Sequence, residues 1–154
     1  MSERKDIVPK GFEWQYEKFQ FAPLVRVGDT IHVSGVIGTR EDGSVDDDPA
    51  RQFAQAFSNL ATMLKAAGCT TTDVVEMTTF HVGLQQNMRA FMAAKREAMP
   101  GPPHPAWTAI GIVELAIPGR RYSIDGNGYS TEGLIKKDLD RWANVIKTAG
   151  IKGE

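Results

Sequence analysis

LVRVGDTIHVSG, residues 24–35, reads as two short strands joined at Gly28-Asp29. A Gly-Asp step tolerates the positive backbone angles that a tight hairpin needs. Along the second strand, side chains alternate: Ile31 and Val33 fall on one face, His32 and Ser34 on the other. An apolar face of this kind must be covered, and the rest of the chain supplies the cover.

Residues 48–68, DPARQFAQAFSNLATMLKAAG, carry the signature of an amphipathic helix. Asp48 suits the N-cap, Pro49 the first turn and Gly68 the C-terminal stop. Phe53, Phe57, Leu60 and Leu64 repeat at the spacing of one buried stripe. DVVEMTTFHVGL (73–84) is rich in β-branched residues and predicts a strand. NMRAFMAAKREAM (87–99) predicts a shorter helix with Met88, Phe91 and Met92 on one face, ended by Pro100-Gly101. WTAIGIVEL (107–115) predicts another strand. RRYSID (120–125) predicts a last one that runs into a polar GNG. This order is α+β: one mixed sheet with two helices on one face. The other sheet face keeps apolar residues, and self-association is the economical way to bury them.

The C-terminal segment has a different character. DGNGYSTEG reads as a linker, and Ile135, Leu139, Trp142 and Ile146 then fall at helical spacing. The expected division is a domain over 1–126 and a linker plus amphipathic helix over 127–154.

Composition excludes several function classes. A net charge of -1 suggests no basic face for nucleic acid. The apolar runs are far shorter than a membrane span. The charged start, MSERKDIVPKG, lacks the apolar core of a secretory signal, and a single cysteine, Cys69, cannot form an internal disulfide. A cytoplasmic, reducing setting is the expectation. The three histidines have neither i, i+2 nor i, i+4 spacing and no supporting Cys or Glu-x-x-His pattern, so no metal and no cofactor is expected.

VRVGDTIHVSGVIG, the helix ending LKAAG, DVVEMTTFHV and HPAWTAIGIVEL, taken in order, resemble the Rid/YjgF family of reactive-intermediate deaminases. The resemblance covers roughly residues 18 to 125. It implies a chorismate-mutase-like fold and a homotrimer whose sheets close into a central barrel. Ligand clefts would then lie between subunits. The best-known branch hydrolyses enamines and imines such as 2-aminoacrylate to a keto acid and ammonia. There an arginine after Pro-Ala grips the substrate carboxylate; Trp107 stands at that position here. The family's pocket tyrosine falls on Phe21, its cysteine on Ala109, and its glutamate on Ser123 or Asp125. Ser34 and Gly35 match. The pattern is closer to the YjgH-like branch, which lacks the arginine. The last 21 residues, LIKKDLDRWANVIKTAGIKGE, resemble the C-terminal end of tripartite-tricarboxylate-type binding proteins, or are an ordinary amphipathic helix.

The resemblance implies a small-molecule metabolite as partner, held near Trp107, Phe21, Gly35, Ala109, His104, Ser123 and Asp125. Catalytic candidates are His81, Ser34 and Thr108. Each has a plainer reading beside it. Trp107 is a pocket wall or a core tryptophan; His81 is an acid/base near neutral pH or a satisfied sheet histidine. His104 is a pocket rim or a loop residue. Cys69 reads as a plain loop thiol. Arg120 and Arg121 either replace the missing arginine or are solvated. Three functions follow: hydrolysis of an atypical imine or enamine, non-catalytic binding in the same cleft, or, remotely, the endoribonuclease or translation-inhibitor role that some members are labelled with.

Overall fold

The computed structural model of the chain describes residues 3–120 and 122–129, the side chains of 122 and 125–129 excepted. The expected tail helix and Arg121 lie outside the described residues. The elements are β1 (Arg4–Ile7), α1 (Glu13–Phe19), β2 (Leu24–Val27), β3 (Thr30–Ile37), α2 (Pro49–Ala66), β4 (Val74–Val82), α3 (Leu84–Ala98), β5 (Ala106–Ile112) and β6 (Tyr122–Tyr129), with one 3-10 turn at Thr71–Asp73. The six strands form one sheet in the order β1-β2-β3-β6-β4-β5. All pairs are antiparallel except β4 with β5, which run parallel because α3 carries the chain back between them.

The hairpin forms as the sequence predicts. Val27 pairs with Thr30 across a two-residue loop, and Gly28 takes the positive φ of 59° that the loop requires. Helix α2 begins where Asp48 accepts a hydrogen bond from the Ala50 N–H at 2.9 Å, and the chain leaves it through Gly68 at φ 76°. Phe53, Phe57, Leu60 and Leu64 are all buried. Each contributes about 1.5–3 kcal/mol of apolar burial, which offsets the entropy of ordering the helix. On α3, Phe91 is fully buried, with Met88 and Met92 beside it. Helix α2 lies so close to β3 that a Cβ at Gly38 would overlap the Gln52 carbonyl.

The structure departs from the sequence reading at both ends. Strand β1 and helix α1 precede the hairpin and were not foreseen. The polar segment read as the end of the domain is instead the middle of the sheet. β6 pairs with β3 on one side and β4 on the other, and the ladder runs past residue 126: Asn127 pairs with both His32 and Glu76, and Gly128 with Ile31 and Val74. The expected linker from 127 is therefore corrected to begin no earlier than the end of β6 at Tyr129. A ladder draws on main-chain N–H and C=O groups, so Gly-Asn-Gly can occupy a central strand.

The sheet has a covered face and an open one. Met77, Thr79 and His81 of β4 point under the helices and are buried. Ile110 of β5 and Val75 of β4 are each 40% exposed. Among the described residues, no helix is long and apolar enough to cross a membrane.

Candidate ligand cavity

A cavity of about 600 Å³ opens between α1, the 20–23 loop, β3 and the segment joining β5 to β6. Its shape follows from a fault in the ladder. Val33 pairs with Gly126 and Val36 with Ile124, so Ser34 and Gly35 together stand opposite Asp125. This is a β-bulge, a device that bends a strand and turns side chains out of register. The Ser34 N–H donates to Pro23 O at 3.0 Å, and the Ser34 hydroxyl donates to Ala22 O at 2.7 Å. These two bonds hold the 20–23 loop against the bulge and bring Phe21 to the cavity wall. Helix α1, ended by Gln20 in the left-handed region at φ 56°, adds Trp14, Gln15 and Phe19.

Arg120 closes the far side. Its guanidinium donates to Gly43 O at 2.7 Å, to Pro118 O at 2.8 Å and to Thr39 Oγ1 at 3.4 Å. It is the one charged residue among the described residues lining this cavity.

Four of the residues singled out in the sequence meet here: Phe21, Ser34, Gly35 and Ser123. Asp125 lies on β6 opposite Thr78, its side chain outside the description. Trp107 does not line the cavity. Its indole turns under α3, 5.4 Å from the Phe91 ring centroid, and its N–H donates to Thr79 Oγ1 at 2.9 Å. Lys95 Nζ caps the ring's exposed side at 5.4 Å. Within the single chain Trp107 is thus a half-buried tryptophan packed against the core at the start of β5. Ala109 lies on the same side of β5, and Thr108 is exposed on the other.

His81 is fully buried beneath the helices, edge-on to Phe91 at 4.8 Å and to Phe53 at 6.2 Å. Its Nε2 lies 2.8 Å from Thr79 Oγ1. Burial disfavours the imidazolium and pushes its pKa down to about 4. It is therefore neutral at physiological pH and sealed away from the cavity. His104 is exposed, and its ring lies against Gly101 where a Cβ would sit. The buried Cys69 thiol is pushed up, first by burial and then by nearby Asp73, which keeps it protonated and inert. Among the described residues, no three His, Cys, Asp or Glu side chains gather as metal ligands.

The sequence reading missed the α1 wall. A signal was present: five aromatic residues fall between Phe12 and Phe21, with Phe12, Tyr16 and Phe19 at i, i+4, i+7.

The comparisons with known proteins agree with this fold. The family described as Endoribonuclease L-PSP matches residues 17–126. RutC family protein YjgH of Escherichia coli (strain K12) is 39% identical over 116 residues, 75% of this chain and 88% of the relative. A protein named 2-iminobutanoate/2-iminopropanoate deaminase, from Dermatophagoides farinae, is 29% identical over 97 residues, 62% of this chain and 74% of the relative. The solved structure of protein YJGH superposes with a TM-score of 0.76 at 36% identity, covering 82% of this chain and 96% of that one.

Proposed function

The chain belongs to the Endoribonuclease L-PSP family, the Rid/YjgF group, and from that premise we propose that it is a homotrimer subunit whose cleft hydrolyses an atypical imine or enamine. The observation that carries this reading is the meeting of Phe21, Ser34, Gly35 and Ser123 around one cavity. The deaminase name of a 29% identical relative supports the reaction class. The open sheet face, with Val75 and Ile110 exposed, supports the trimer, because burying such a face requires other copies.

The bulge supplies the chemistry. The Ser34 hydroxyl spends its hydrogen on Ala22 O, so its oxygen faces a ligand as an acceptor. That suits an imine N–H or an attacking water. Gly35 lines the cavity beside Ser34 and has no side chain, so a ligand can approach the main chain closely there. Water adds to the imine carbon, the C–N bond breaks, and a carbonyl compound and ammonia leave.

Ammonia release from a panel of imines, generated in situ by amino-acid oxidases, tests this directly. Turnover that falls by about tenfold or more in Ser34→Ala is the expected result. No turnover above buffer for any imine overturns it.

Binding without turnover is the second reading, and one observation favours it. Arg120 is the charged described residue at the cavity, and a guanidinium offers donors but no acceptor for a substrate proton. A metabolite recovered chemically unchanged from the cleft supports binding alone.

A further inference from the structure

Among the described residues, Arg120 is a fixed cation that bonds only neutral acceptors: Gly43 O, Pro118 O and Thr39 Oγ1. Among the described residues, no carboxylate lies within ion-pair distance of it. A guanidinium carries five N–H donors, so one remains on each terminal nitrogen. Those two match the two oxygens of a carboxylate, the pairing for which the planar fork is suited. A dianion would leave one charge uncompensated against the apolar wall.

The opposite wall is aromatic. Trp14 and Phe19 meet edge to face at 5.6 Å, and Phe21 completes the surface. Flat rings favour flat partners. A cavity of about 600 Å³ holds far more than a three- or four-carbon acid.

We infer that the cavity takes a flat, aryl-bearing monocarboxylate, with Arg120 holding the carboxylate and the Trp14, Phe19 and Phe21 wall holding the ring. The inference rests on the cavity being the ligand site proposed above. It moves the anion anchor off β5, where Trp107 is turned into the core, to the segment entering β6.

Equilibrium binding to the full-length protein tests it, with phenylacetate, phenylacetamide and acetate as probes. Phenylacetate should bind at least about tenfold tighter than its neutral amide, the usual gain of a charge-assisted contact, and tighter than acetate by a similar factor. Arg120→Gln should bring acid and amide together. Trp14→Ala should weaken phenylacetate while leaving the preference for acid over amide. Equal binding of acid and amide by the unmodified protein overturns the inference, and that comparison needs no variant to fold. An undiminished acid preference in Arg120→Gln overturns the assignment of Arg120. Imine turnover without any aryl-acid preference overturns this inference and leaves the proposed function standing. Absence of both turnover and binding overturns the two together.

Discussion

Replacing His81 with Gln removes a buried base whose protonation the fold opposes. In the unfolded chain an imidazole titrates near 6.5, and in the folded protein burial lowers His81 to about 4. Between those values the unfolded chain binds more protons than the folded one, so stability rises with pH across that window and falls as the solution is acidified. The full difference corresponds to about 3 kcal/mol, with about 2 kcal/mol already lost at pH 5. Against a typical domain stability of about 5–15 kcal/mol, that is a large share. Urea unfolding at fixed protein concentration, from pH 7.5 down to 4.5, measures it. The unmodified protein should lose about 2 kcal/mol more than His81→Gln between pH 7 and 5. Asp42 and Asp46 do not confuse the comparison. Hydrogen bonds, from Ser44 to Asp42 and from the Asp48 N–H to Asp46, hold both carboxyls below their ordinary value. Their contribution is lost only at still lower pH, and equally in both proteins. Parallel stability curves for the two proteins would refute the placement of His81 in a dry core.

Gly38→Ala should destabilise the protein by about 3 kcal/mol or more, read by thermal or urea unfolding, because the new methyl meets the Gln52 main chain and not a yielding side chain. Asp48→Ala should cost about 1 kcal/mol by the same measurement, through loss of the α2 cap. Trp107→Arg should not produce 2-aminoacrylate hydrolysis in an ammonia assay, and should lower the melting temperature, since it sets a guanidinium against Phe91 beneath α3. Ile110→Asp, on the open sheet face, should convert the proposed trimer to monomer in sedimentation analysis.

The elements that repeat with a clean period were legible: the alternation of Ile31 and Val33, and the stripe from Phe53 to Leu64. β6 was harder, because the strength of a central strand lies in its neighbours' main chains and not in its own side chains. The α1 wall was harder still, since the helix is barely two turns long and the helical spacing of Phe12, Tyr16 and Phe19 overlaps the strand-like alternation of Phe12, Trp14 and Tyr16. For the cavity, family matching located Phe21, Ser34, Gly35 and Ser123. It could not reveal the seat of Trp107. That depends on Thr79 and Phe91, residues 28 and 16 positions earlier, and their proximity exists only after β4 and β5 pair and α3 crosses above them.

Helix α1 stands mostly ahead of the family-matched residues, yet it furnishes one side of the cavity. On the proposed reading, selectivity would rest on α1 and the 20–23 loop, while β3 and β6 hold the bulge. Residues 12–21 would then be the stretch to exchange between relatives in a search for new ligand preferences, sparing Phe12 and Gln15, which pack inward.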